Sequence, residues 1–105
     1  MSPEKKNPSD ADEQNARIAL RTMRAEIKRI LDAWDPLCLR GLRGFDREYN
    51  DHVGPLFVLV RKGAEPMEIV RHLHTLMTEE WKLPENRAKC MEIAEKIHRV
   101  GRMFQ

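Results

Sequence analysis

Serine is almost missing from this chain: of 105 residues, only Ser2 and Ser9 are serines, both near the N-terminus. There is no Gly-x-Ser-x-Gly, so serine nucleophile chemistry has no place to sit. Cysteine is equally scarce. Cys38 and Cys90 lie far apart in the chain without a Cys-x-x-Cys pair, which removes the common zinc and dithiol patterns and reads as free thiols in a reducing cytoplasm, a disulfide being left open. Cys90 falls on the apolar side of a helical pattern, and Cys38 in a greasy loop, so packing is expected for both rather than thiolate chemistry. No run of eighteen apolar residues occurs, so no bilayer span is expected. The first fifteen residues, MSPEKKNPSDADEQN, lack the apolar core of a signal peptide, so export by that route is not expected. His-Glu-x-x-His, the P-loop and Gly-x-Gly-x-x-Gly are all absent. Strand-like alternation and internal repeats are absent as well.

What is present is charge and helical periodicity. Charged residues make up 34% of the chain and hydrophobic ones 41%, with a net charge of +2. This suits one small amphipathic helical domain, since the length cannot supply two cores. The charge is uneven: residues 1–14 sum to −2, residues 15–47 carry eight bases against four acids, and residues 48–105 balance nine against nine.

Residues 1–13, polar and interrupted by Pro3 and Pro8, read as a disordered tail before a single helical domain over 14–105. A first helix is predicted from about Asn15, with Leu20, Met23, Ile27, Ile30, Leu31 and Trp34 on one side. Asp35-Pro36 ends it, because a residue before proline is pushed out of the α region. Gly41 and Gly44 keep the next stretch irregular, and Leu37, Leu39, Leu42 and Phe45 are expected to fill that corner. Asp46 is expected to cap a second helix with Tyr49, Val53, Leu56, Phe57 and Val60 inward, kinked or restarted at Pro55. Lys62-Gly63 stops it. A third helix begins at Pro66 behind a poor cap, Glu65, with Ile69, Val70, Leu73, Leu76 and Met77 inward. A fourth runs from Pro84 or Glu85 with Cys90, Ile93, Ala94, Ile97, Val100 and Phe104 on one stripe. The expected fold is all-α: a compact bundle of four helices with a short irregular apolar loop between helices one and two.

Three short motifs, Trp34-Asp35-Pro36-Leu37, Glu48-Tyr49-Asn50-Asp51 and Lys62-Gly63-Ala64-Glu65-Pro66, together resemble a small bacterial all-helical family of unknown function. That family carries Trp-Asp-Pro after its first helix, Glu-Tyr-Asp at the second, and a Gly-Ala turn into an acid-rich third. The likeness covers roughly residues 27–83, with Asn50 standing where the family has Asp. Similar patterns occur in immunity-like proteins that neutralise a partner toxin. The resemblance implies a bacterial domain that acts by binding, and it brings no catalytic residue.

The remaining chemistry is thin. His72 and His74 are two apart on a helix and face opposite ways, so they cannot share a metal. Glu48/His52 and Glu68/His72 have helical spacing, and Glu95/His98 has the Glu-x-x-His spacing of di-iron bundles, but only one copy exists where two are needed. Solvated surface accounts for all of these, and neither a metal, a cofactor nor an enzymatic activity is expected. Trp34, Tyr49 and Trp81 lie in phase with apolar faces and read as core plugs rather than a ligand cage, with Asp35, Glu48 or Asp51 available to their polar atoms. Trp34, Asp35, Pro36, Glu48 and Tyr49 are thus assigned structural roles.

One surface feature stands out. Arg17, Arg21, Arg24 and Lys28 form a stripe about 60° wide on helix one, flanked by Arg29 and continued by Arg40, Arg43 and Arg47 in and after the loop. A solvated face is the plain explanation of such a row. The functional reading is a partner-binding site made of Arg17, Arg21, Arg24, Lys28, Arg40 and Arg43. An acidic protein surface is the favoured partner, because nucleic acid would call for a larger basic excess and the apolar side of helix one is needed by the core, not by a membrane. Nucleic acid bound through phosphates is the alternative. Met67, Met77, Met91, Met103 and Phe104 add enough soft apolar surface to leave a homodimer open.

Overall fold

The computed structural model describes residues 8–39, 41–42 and 45–104. Its first helix, α1 (Pro8–Trp34), begins well before Asn15, so residues 8–13 are helical rather than part of a tail. The reason is local. Proline at the first helical position has its φ already set and lacks an N–H that would have no partner there. After it come no further Pro or Gly, and Ala11, Glu13, Gln14 and Ala16 are good helix formers. The helix ends at Asp35, which takes a left-handed conformation (φ 46°). Its N–H donates to the Leu31 carbonyl at 2.8 Å, and Asp is among the few non-glycine residues that tolerate this region.

The second predicted helix is two. Helix α2 (Phe45–Asn50) starts one residue ahead of Asp46, so the predicted cap position falls inside the helix. Helix α3 (Val53–Arg61) follows after a turn at Asp51-His52. The chain restarts instead of kinking, and Pro55 explains why: in α3 it is the third residue, where its missing N–H would have no intrahelical acceptor. At the far end Gly63 (φ 80°) turns the chain in a Schellman arrangement, with Ala64 N–H donating to Leu59 O at 3.0 Å and Gly63 N–H to Val60 O at 3.1 Å.

Helix α4 (Pro66–Thr75) has Glu65 before it, which makes no side-chain capping bond. It then widens into a π turn, Leu76–Glu80, that the periodicity did not announce. Trp81 N–H reaches back to Leu76 O at 3.0 Å and Leu83 N–H to Met77 O at 2.8 Å. The last helix, α5 (Arg87–Met103), starts later than Pro84 because Asn86 caps it, its side chain accepting from Lys89 N–H at 3.1 Å.

Taken as rods, α1, the α2–α3 pair, α4 with its π turn, and α5 make an all-α four-helix bundle, and no strand occurs among the described residues. Helix α5 lies between α1 and α4, while α3 packs against all three. Ile27, Leu31, Tyr49, Leu56, Ile69, Leu73, Cys90 and Ile97 are the largest of its fully buried side chains, each large aliphatic contributing about 1.5–3 kcal/mol by leaving water. Gly101 marks the closest approach of α5 to α3: a Cβ there would stand 2.5 Å from Val60 Cγ1.

The corner between α1 and α2 fills less completely than its composition suggests. Leu37 and Leu39 pack against the core, whereas Leu42 is 60% exposed. Cys38, expected to pack, is exposed with φ 55°; a turn closed by its own N–H on Asp35 O turns it outward. Gly44 lies outside the described residues. Of the methionines that left self-association open, Met77 is core, while Met67, Met91 and Met103 are exposed.

Candidate binding face

The residues assigned structural roles converge. The Tyr49 ring is fully buried, and its hydroxyl donates to Asp35 Oδ1 at 2.7 Å while accepting from Leu37 N–H at 2.9 Å. Asp35 Oδ1 also accepts from Leu39 N–H at 2.8 Å. One carboxylate thus holds the loop to itself and to α2. Burial, and then the hydrogen bond to Asp35, push the Tyr49 phenol far above its ordinary value, so it remains a donor. Trp81 packs edge-on against Tyr49 (5.6 Å between centroids) and Trp34 (6.3 Å), a geometry favoured by the ring quadrupoles. Its Nε1–H donates to Glu48 Oε2 at 3.2 Å. Pro36 is the second residue of the Asp35–Cys38 turn, where its fixed φ fits.

His52 joins this cluster, its ring 5.1 Å from that of Trp81 and its Nε2 3.8 Å from Glu48 Oε2. Across a cleft of about 430 Å³ lie His72, Glu79 and Glu80. Burial, aided by the charge of His52, holds His72 below its ordinary pKa. Among the described residues, no group of three or more His, Cys, Asp or Glu is placed to hold a metal ion. Cys90 is buried against Met77, Sγ to Sδ 3.5 Å, and burial raises its thiol pKa, so it is a packed side chain and a poor nucleophile.

The basic stripe divides under the same scrutiny. Lys28 Nζ pairs with Asp32 at 2.7 Å, and Arg29 pairs with Glu26. Arg24 lies over the Phe57 ring, 4.6 Å from its centroid, with the Arg61 guanidinium 6.0 Å from the same ring. Arg17 and Arg21 are exposed and make no ion pair among the described residues; Glu13, one turn earlier, does not close on Arg17. The open basic surface is therefore Arg17, Arg21, Arg24 and, from another helix, Arg61. Arg61 was invisible in the α1 periodicity because only the packing of α3 brings it there. Arg40 and Arg43 lie outside the described residues. Arg47 is exposed on α2.

No helix among the described residues is long and apolar enough to cross a membrane. No protein-family model, no curated protein and no solved structure matches the chain.

Proposed function

We propose that this chain is a non-catalytic protein-binding module, an immunity-like or adaptor protein of bacterial type, whose partner presents an acidic surface to the arginines of α1 and α3. The observation that carries the reading is the split within α1. Lys28 and Arg29 are paired with carboxylates of their own helix, whereas Arg17 and Arg21 stand in solvent. Arg24 is held over Phe57 with Arg61 close by, so this end of the row has fixed geometry and open charge. Arginine suits carboxylate recognition because its planar fork accepts bidentate pairing. Among the described residues the face offers four open arginines, fewer than the roughly six to ten phosphate contacts that produce a steep salt dependence, which favours protein over phosphate backbone.

The test is capture from the native source with the wild-type chain and with the triple variant Arg17→Glu, Arg21→Glu, Arg61→Glu. Loss of one defined acidic protein from the variant, with helicity unchanged, supports the reading. Equal recovery by both sinks it. Recovery of nucleic acid with a steep salt dependence would transfer the face to phosphate binding.

A further inference from the structure

Beside the arginine row, between α1, α3 and α5, runs a groove of about 260 Å³ lined by Ala16, Ala19, Leu20, Met23, Arg61 and Phe104, with Val60 and Gly101 as its floor. We propose that this groove is the slot for one large apolar side chain of the acidic partner, whose flanking carboxylates meet Arg17, Arg21, Arg24 and Arg61. The bound chemistry is a short amphipathic acidic segment: a Leu, Met or Phe with Asp or Glu within a few residues on either side. The proposal rests on the acidic-partner reading above and adds the anchor to it.

Three observations lead there. The first is charge. Among the described residues the only charged side chain lining the groove is Arg61, and Leu20 on its α1 wall is about 40° around the helix from Arg24 and about 60° from Arg17. Arg24 and Arg61 share the Phe57 ring, so the basic rim bridges from α1 to α3. A second groove, of about 400 Å³ between α1 and α5, differs in how its charges are used: Arg29, Lys89 and Lys96 on its wall are already paired with Glu26 and Glu92, while Arg99 makes no ion pair among the described residues.

The second is size. The slot is smaller than the roughly 300–1,000 Å³ of small-molecule sites, and its walls are small or flexible side chains, Ala16, Ala19 and Met23, suited to receiving an inserted residue. The third is reach. From residue 12 on, Met23 is the first buried residue of α1, so the stretch from 12 up to it, roughly 16 Å at 1.5 Å per residue, runs past the core with residues 12–18 exposed. An isolated stretch of this length is marginal as a helix in water. A ligand lying along it would add the packing that the bundle does not provide.

The experiment is a selection of random twelve-residue peptides on the intact chain, followed by affinity measurements on two variants. Ala16→Trp fills the slot from an exposed position and leaves the core untouched. Arg21→Glu with Arg61→Glu removes the rim, and circular dichroism checks that both variants stay folded. The expected result is a family of peptides with net negative charge and one shared large apolar residue. Their affinity should fall about ten-fold or more on each variant, the scale of losing one buried side chain or a charge cluster. Acidic peptides without a shared apolar residue, binding Ala16→Trp as well as wild type, would overturn the slot and leave the acidic-partner reading standing. Enriched peptides without acidic bias, or no enrichment at all, would overturn both.

Discussion

The corner around Asp35 and Tyr49 and the outer face of α1 are both rich in polar and charged groups, yet they spend them in opposite ways. In the corner, Asp35 Oδ1 takes the Tyr49 hydroxyl and Leu39 N–H, the hydroxyl takes Leu37 N–H, and Glu48 takes Trp81 Nε1–H. On the face, Arg17 and Arg21 have no intramolecular counterpart among the described residues, and Arg24 has only the face of a ring. Buried polar groups must be satisfied within the molecule because an unpaired one costs the full desolvation penalty. Exposed arginines carry no such obligation and keep their bonding capacity for something else. The difference separates residues that specify the fold from residues available to a partner, although both sets look equally polar in the sequence.

The largest effect should come from breaking the corner. Tyr49→Phe keeps the buried ring but leaves the Leu37 N–H without its acceptor and takes one donor from Asp35 Oδ1. The expected loss is about 2 kcal/mol, the range for a hydrogen bond to a charged acceptor. This would lower the urea midpoint by roughly 1 M. An unchanged midpoint would mean that the hydroxyl is dispensable and that ring packing alone holds the loop.

How much of this could be read beforehand follows the same division. The apolar stripes of α1, α4 and α5 were legible because helical period and burial coincide: Ile27, Leu31, Ile69, Leu73, Ile97 and Cys90 are all inside. The left-handed residues were not. Asp35 was readable as a helix stop, but Cys38 and Lys82 at φ 55° are residue types with no preference for that region, so nothing in their identity announced it. The π turn was hidden for a related reason, since Leu76 and Met77 keep the inward pattern of an ordinary helix. On the face, the α1 arginines were visible as a row, but the pairing of Lys28 and Arg29 and the arrival of Arg61 depend on rotamers and on how α3 packs.

Lys82 tests the strain side of the corner. It is exposed and follows Trp81 in the left-handed region, where a non-glycine residue costs about 1–2 kcal/mol. Glycine there removes that cost but adds roughly 0.5–1 kcal/mol of unfolded-state entropy. Lys82→Gly should therefore stabilise the fold by about 0.5–1 kcal/mol, seen as a raised urea midpoint. A lowered midpoint would show that the lysine stem packs usefully against the turn.

A pH comparison probes the cleft beside the same corner. His72 is held below its ordinary value of 6.5 by burial and by His52, with Glu79 and Glu80 also lining the cleft and Glu48 beside His52. Its neutral ring is the form that fits the folded state. Stability should be complete above about pH 6.5 and fall as pH drops below it, because the unfolded chain takes up a proton that the folded one resists. Between about pH 7.5 and pH 5.5 the wild-type urea midpoint should drop more than that of His72→Gln. Equal drops would show that His72 does not carry the pH response.

The smallest effect on stability is expected on the face, and that smallness is the point of the measurement. Arg17→Glu with Arg21→Glu changes the charge by four, yet both side chains are exposed and unpaired among the described residues, so folding should shift by no more than about 0.5 kcal/mol. Within that limit one term favours the variant and another contributes nothing. Removing like-charge repulsion from Arg24 contributes a few tenths of a kcal/mol per pair in favour of the helix. Placing acids nearer the middle of α1 gives nothing back through the helix dipole, which acts only over the terminal turns. Arg24→Gln should cost more than this double reversal, about 0.5–1 kcal/mol, because it removes the cation held over Phe57. If the double reversal instead cost as much as Tyr49→Phe, those arginines would belong to the fold after all, and the face would lose its claim to a partner.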